Sequence, residues 1–468
     1  MKSLHLIQRC VGLLGSLCLL VFATGCKKDW LNVKPDKSQA IPTRLSDYRA
    51  MLNHTSVLNA NCIALGEVAS DGHYVSDAIW TATKDIPAIN AYTWSQSTVY
   101  PDMESYRSFY NRIFFTNVVM DGLRKLTVTT AAERAELDGL RARALFVKAI
   151  SYYWLSQLYA QPYRAATAAT DQGILAQDNL EFLENVHRLT VAETYNSIIT
   201  MLTEALPLLP VKPAHVTQAS RPAVHALLSR VYLCMQDYDN ALLHANSSLE
   251  LQPALLDYSK VPAGNFYIGA FNSEVLYHDE MSSSEINSFT TNNCLLDRSL
   301  YDSYHADDLR KTLYFFPLGA NLIFKGNYNN SNWQIFCGLA NDEVYLTRAE
   351  CQARKGDAAA AMKGLNDLLR TRWKTNTDGS TLYTDRTAAD ANDALLQILA
   401  ERKKSLLVRG TRWADLRRLN LAPATAVTLT RTIGGKTYSI EPNSHRYTFP
   451  LPITVRELGG HAQTTGWE

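Results

Sequence analysis

Residues 221–255, RPAVHALLSRVYLCMQDYDNALLHANSSLELQPAL, decide the fold. Leu228, Tyr232 and Leu249 recur at helical spacing, while Ser229, Ala241 and Ser248 are small where two helices must come close. Pro253 ends the second helix. Together these features read as one tetratricopeptide-type helical hairpin.

The same register returns 120 positions later in residues 341–370, NDEVYLTRAECQARKGDAAAAMKGLNDLLR. Tyr345 stands for His225, Ala349 for Ser229, Gly356-Asp357 for Gln236-Asp237, Ala361 for Ala241 and Leu369 for Leu249. Leu368 replaces Ser248, so the second copy is imperfect. One hairpin cannot bury its apolar face alone, and roughly three must stack. Helical patterns over 131–159 and 190–209 supply a split third pair, with Thr190 and Glu193 as a capping box, a further helix runs over 106–126, and a helix over 392–419 closes the series. The N-terminal pattern over 45–58 adds another helix.

Between these helices the periodicity fails twice. Residues 62–103 carry Tyr74, Trp80, Tyr92, Trp94 and Tyr100, and residues 257–341 scatter aromatics among Asn, Ser and Gly. Loops that long are usually functional or disordered. Near the C-terminus, residues 427–442 read as two short strands around Ile433-Gly434-Gly435-Lys436. The expected fold is therefore mainly α: a tetratricopeptide-type hairpin scaffold (an α/α superhelix), a loop-rich ligand-binding part and a small β-hairpin. Its helical parts are placed at about 104–160, 188–255 and 341–420, its loop face at about 61–103 and 257–340, and its hairpin and tail at 421–468.

The chain has 468 residues, with 46 Lys and Arg against 45 Asp and Glu and no long run of one sign. Nucleic acid is excluded as a partner on that balance. The first 25 residues pair Lys2 and Arg9 with an apolar run too short to span a bilayer comfortably, and are expected to be a signal peptide. Ala23-Thr24-Gly25-Cys26 resembles a bacterial lipobox cut before Cys26, which makes Cys26 the expected lipidation site and residues 26–42 a tether to the body at 43–468. Five cysteines remain, Cys62, Cys234, Cys294, Cys337 and Cys351, widely spaced and without C-x-x-C, so neither a disulfide framework nor a zinc site is expected. No cofactor motif occurs. Gly434-Gly435-Lys436-Thr437 ends like a Walker A loop, but Thr430 holds the upstream glycine position.

Asp307-Asp308 and Asp279-Glu280 are the carboxylates considered for glycosidase chemistry, and as adjacent residues they read as solvated or capping groups, so no catalytic residue is expected. Asn327 to Asn332 and Asn376 to Asp378 suit calcium or turns equally well. Aromatics interleaved with Asn, Asp and Arg point elsewhere: a sugar's C–H face lies flat on an aromatic ring and its hydroxyls need fixed polar partners.

These pieces resemble the SusD/RagB family, outer-membrane nutrient-uptake lipoproteins of Bacteroidetes. The resemblance runs through CKKDWLNVKPDK (26–37), LRARALFVKAISYYWLSQLYAQPY (140–163), YDSYHADDLRKTLYF (301–315), the helix pair at 341–370 and FPLPITVREL (449–458). It is most specific in LAERKKSLLVRGTRWADLRRL (399–419), where Glu401, Arg402, Gly410, Arg412, Trp413, Asp415, Leu416 and Arg417 fit the family pattern. Trp413 is expected to pack, and Arg412 and Arg417 to pair with carboxylates such as Glu401 and Asp415. The resemblance implies a non-catalytic binding protein, anchored in outer-membrane lipid through Cys26 and facing the cell exterior. It implies delivery of oligosaccharide, or alternatively peptide, to a SusC-like TonB-dependent transporter. The regions it implies for ligand are 71–94 and 278–296, and Asp71, Tyr74, Trp80, Trp94, His278, Phe289 and Asn292 are the candidate ligand residues. A tetratricopeptide scaffold that grips peptide around Tyr232 and Tyr345 is the competing reading.

Overall fold

The computed structural model describes residues 42–468 except 63, 101–102, 179, 181–185, 263–267, 282–294 and 332–333. Cys26, Phe289 and Asn292 lie outside the described residues. Contacts divide the chain into Met1–Thr43, of which only Pro42 and Thr43 are described, and Arg44–Glu468.

The second unit is mainly helical. Helix α1 (Leu45–Leu52) and the one-turn α2 (Thr55–Leu58) replace the single helix expected over 45–58, because the Asn53 and His54 amides turn back onto carbonyls of the last turn of α1. The aromatic stretch after them is not a bare loop. It holds α3 (Leu65–Ala69), β1 (His73–Tyr74), α4 (Asp77–Ala82) and α5 (Ile86–Tyr92), each too short for a 3.6-residue period to register. Local caps make the last two: Ser76 accepts from the Ile79 amide and Asp85 from that of Ala88.

Two long helices follow, α6 (Glu104–Lys125) and α7 (Ala131–Tyr159). An antiparallel ribbon, β2 (Gln172–Gln177) with β3 (Val186–Thr190), fills the expected insertion and leads into α8 (Val191–Ala205), whose Thr190/Glu193 capping box is present. The deciding hairpin is α9 (Arg221–Cys234) and α10 (Tyr238–Leu251), and its copy is α13 (Asn341–Arg354) and α14 (Ala358–Arg370). Between the two hairpins run β4 (Val275–Tyr277), β5 (Leu295–Leu296), α11 (Arg298–Asp302), α12 (Arg310–Leu313), β6 (Phe315–Leu318), β7 (Asn321–Phe324) and β8 (Leu339–Ala340). A small antiparallel sheet of order β1-β5-β7-β6 ties the aromatic stretch to the second loop region.

The two hairpins turn alike. Gln236 and Gly356 both adopt positive φ, +60° and +88°, and Asp237 and Asp357 then cap the second helix, accepting from the Asn240 and Ala360 amides. Ser229, Ala241 and Ser248 are buried, as are Ala349, Ala361 and Leu368 at the matching places. Ser248 uses its hydroxyl to reach the Pro222 carbonyl at 2.9 Å, whereas Leu368 packs in an apolar cluster with Trp373 and Ile398.

The helix expected over 392–419 is two, α15 (Ala391–Ser405) and α16 (Arg412–Leu419). Val408 and Gly410 between them take φ of +55° and +73°, which no α-helix admits. This break lets the signature residues point in several directions. Arg402 bonds Asp415 and Thr347, Arg418 bonds Asp415 and, bidentately, Glu350, and Arg230 of α9 grips Glu343. All of these charged groups are at most 5% exposed, so charges buried away from water are paired throughout α9, α13, α15 and α16.

The expected partners of the other signature arginines are different. Arg417 donates to the carbonyls of Ser156, Gln157 and Ala160, closing the C-terminus of α7, and Arg412 reaches Asp71. Glu401 instead takes Arg310 and Arg386. Trp413 is fully buried, tilted over Tyr447 at 4.8 Å and stacked with Phe449 at 5.6 Å. Beyond it β9 (Leu429–Ile433) and β10 (Lys436–Ile440) form the expected hairpin, and Gly434 and Gly435 supply the two positive φ values that its tight turn requires. The short α17 (Ile453–Gly459) lies in the tail. No helix among the described residues is long and apolar enough to cross a membrane.

Candidate ligand-binding face

The aromatic stretch from 65 to 94 is held by charge rather than by periodicity. Glu67, the third residue of α3, is buried and accepts the Gly410 amide at 3.0 Å. Burial pushes its carboxyl up to about 7. Asp71 accepts Arg412 at 2.5 and 3.0 Å and Lys403 at 2.6 Å. Burial alone raises Asp71, but the two cations outweigh it and hold the carboxyl well below its ordinary value. From β9, Arg431 donates to the carbonyls of Val68, Ser70 and Tyr92 and lies 4.0 Å from the Tyr92 ring centre and 4.5 Å from that of Trp94. Burial, with Arg431 nearby, drives the His73 imidazole down to about 3, so it is neutral. The result is a fixed platform of short elements.

Two aromatics stand on that platform toward solvent. Tyr74 is 40% exposed and its hydroxyl lies 3.3 Å from Asn321 Oδ1 at the start of β7. Trp80 is half-buried, its ring 6.0 Å from that of Tyr92, and the Gly434 backbone lies against its indole nitrogen. Asp77 fixes this contact by accepting the Gly434 amide at 2.9 Å. A partly exposed tryptophan and an exposed tyrosine beside an asparagine present flat apolar area with adjacent polar groups.

The remaining sequence candidates sit differently. Trp94 is 3% exposed and its indole N–H is spent on the Ala69 carbonyl at 2.9 Å, so it is a packing residue and presents no ring face. Asp71 serves as the anchor just described. His278 is buried, hydrogen-bonded to Glu280 and set between Phe271 and Phe336. Its neighbour Phe271 lines a cleft of about 540 Å³ with Val211, His215, Val216 and Leu276, well separated in sequence from Tyr74 and Trp80. Phe271, 47% exposed at φ +54°, is an aromatic that periodicity and composition do not single out. Its signal is the strained backbone, visible only in three dimensions.

The carboxylates considered for hydrolysis are engaged. Asp279 pairs with Arg112 through both oxygens, Asp308 with Arg310, and Glu280 with His278 and Asn329. Turn hydrogen bonds occupy described residues of the Asn and Asp clusters. Asn327 spans the Ser331 carbonyl and the Phe336 amide, and Asp378 accepts Ser380 twice.

A SusD-like family model described as starch-binding associating with outer membrane matches residues 29–233, and a SusD family model matches residues 287–454. Solved structures share the fold. A SusD superfamily protein of Bacteroides vulgatus superposes with a TM-score of 0.71 at 18% identity, covering 91% of this chain and 100% of that one. A Bacteroides thetaiotaomicron member gives 0.70 at 20% identity, covering 90% and 99%. A laminarin-binding SusD-like protein gives 0.61 at 16% identity, covering 90% and 98%. Among curated proteins, none matches the sequence significantly.

Proposed function

Because the chain belongs to the SusD/RagB family, we propose that it is a non-catalytic lipoprotein that captures oligosaccharide and passes it to a SusC-like TonB-dependent transporter. Cys26 carries the lipid that holds it in the outer membrane, facing the cell exterior. The observation that carries the reading is the pair of solvent-facing rings, Tyr74 and Trp80, mounted on a segment that Arg431, Arg412 and Lys403 hold rigid. A rigid aromatic face binds a sugar ring with little loss of side-chain entropy. The laminarin-binding relative makes β-glucans the first ligands to try.

The test is binding of the soluble form, starting at Lys27, to an array of polysaccharides, with Trp80→Ala and Tyr74→Ala alongside. Retention of one glycan class, weakened about tenfold or more by Trp80→Ala, is the expected outcome; loss of one stacked ring is worth about 1–2 kcal/mol. Retention untouched by both substitutions would move the site elsewhere, to the cleft at Phe271 first. Binding of peptide and of no glycan would overturn the saccharide reading.

A further inference from the structure

Cys62, Cys337 and Asp279 meet in a cluster that is 0% exposed, with both sulfurs and a carboxylate oxygen within 4.8 Å of one another. Backbone pairing brings them together. Residues 279–281 run between two other segments. On one edge the Glu280 amide donates to Asn59 at 3.1 Å and its carbonyl accepts from Cys62 at 2.8 Å. On the other, the Met281 amide donates to Ile335 at 2.8 Å and the Asp279 carbonyl accepts from Cys337 at 2.9 Å.

Adjacent residues of an extended segment direct their backbone groups to opposite edges, so the two cysteines sit on opposite sides of the central segment. Their backbones are then two strand spacings apart, about 9.5 Å. A disulfide requires Cα atoms within about 7 Å. Both cysteines are unbridged, and their side chains lie within hydrogen-bonding reach of each other. A metal ion spans that interval, since two thiolates about 2.3 Å from one zinc lie roughly 4 Å apart.

We propose that Cys62, Cys337 and Asp279 hold one zinc ion, with a water molecule as its fourth ligand. Asp279 Oδ1 is taken by Arg112 Nη2 and the Glu280 amide, whereas among the described residues Oδ2 accepts only Arg112 Nη1 at 2.8 Å and keeps a lone pair for the metal. Arg112, also fully buried, is the hydrogen-bonded support that a ligating carboxylate needs. The charges of a dication, two thiolates, the carboxylate and this guanidinium cancel, so the loaded site is neutral in the interior. Softness favours zinc over calcium or magnesium at two sulfurs. Nearby, the buried Tyr277 hydroxyl has no hydrogen-bond partner among the described residues and interacts electrostatically with Asp279, Arg112 and Cys62. It is the donor that a bound thiolate or a zinc-bound water would use. Binding releases the two thiol protons to solvent and changes no oxidation state. The ion would pin segment 59–62 to segment 335–337 across residues 279–281, independently of any saccharide.

The site is closed, so the test loads it during folding. The chain is unfolded with reductant and chelator, then refolded with Zn²⁺ alone or Co²⁺ alone, and freed of excess metal. One zinc per chain is expected, with a higher melting temperature than the metal-free protein, and the cobalt form should show sulfur-to-metal charge transfer together with tetrahedral visible bands. Cys62→Ser and Cys337→Ser should each abolish the charge-transfer band. His225→Ala should not, although His225 and His244 bring their Nδ1 atoms within 2.9 Å. If the serine variants fail to fold, the cobalt spectrum of the unsubstituted chain decides alone. A metal-free refolded chain, a cobalt spectrum without sulfur charge transfer, or a mass two hydrogens lower from a disulfide would each overturn the proposal.

Discussion

The paired hairpins α9–α10 and α13–α14 and the aromatic segment at 65–94 solve the same problem by opposite means. In the hairpins, helical hydrogen bonds satisfy the backbone, and side chains have only to pack and to pair across the helices. In the aromatic segment the helices last five to seven residues, so carbonyls are left over. Arg431 supplies donors to three of them, and Arg412 and Lys403 hold the turn at Asp71. Charge in the scaffold links elements that would each form anyway; charge in the aromatic segment fixes a conformation that its own sequence does not impose. The second arrangement leaves two of its rings, Tyr74 and Trp80, at least partly in water.

The largest expected effect lies in the scaffold. Glu343→Leu leaves Arg230 and Arg402 buried without a partner they now share, and should lower unfolding stability by about 3–5 kcal/mol. Urea denaturation measures it. A loss under about 1 kcal/mol would mean that the hairpins stand by packing alone, and the contrast between the regions would become sharper still.

Next comes the pH profile of the aromatic segment. The folded Glu67 carboxyl titrates near 7, above its unfolded value, so its contribution is fully present below about 4.5 and is lost as pH rises through 7. The shift corresponds to about 3 kcal/mol. Buried His73, depressed to about 3, acts oppositely: its stabilisation is present above the unfolded histidine value and is lost as pH falls toward 3. The informative quantity is therefore the difference in melting temperature between the unsubstituted chain and Glu67→Gln, which can still accept the Gly410 amide. That difference should favour the unsubstituted chain more at pH 5 than at pH 8. A flat difference would show that the α3 anchor does not depend on protonation.

The smallest effect tests the likeness of the two hairpins. Gln236 holds the left-handed turn that Gly356 holds in the copy, at a steric cost glycine avoids. Gln236→Gly should raise stability by about 0.5–1 kcal/mol. A loss instead would assign the Gln236 side chain a role in the turn that the repeat does not share.

Much of this architecture is legible in the chain itself, and the exceptions share a cause. Periodicity marks α6, α7, α9, α10, α13 and α14, and the Gly434-Gly435 pair marks the β-hairpin, because each depends on residues near in sequence. The division of residues 391–419 into two helices is not marked. Val408 is a β-branched residue at positive φ, held there only by its surroundings. Of the candidate ligand residues, Tyr74 and Trp80 face solvent while Trp94 and His278 are buried, yet all are aromatic residues in aperiodic stretches. Nothing local separates them.

By itself, then, the sequence determined the helical hairpins, their repetition, the family resemblance and the regions where ligand residues would be sought, since helical periodicity, caps and turn glycines act over stretches of fewer than about twenty residues. Only the tertiary structure decided which arginine meets which carboxylate and which rings stay in water. It alone brought Cys62 beside Cys337. Those pairings span anything from 3 positions, Arg418 with Asp415, to 341, Arg412 with Asp71, and a pairwise electrostatic or packing preference in one chain has no sequence spacing by which it can be read.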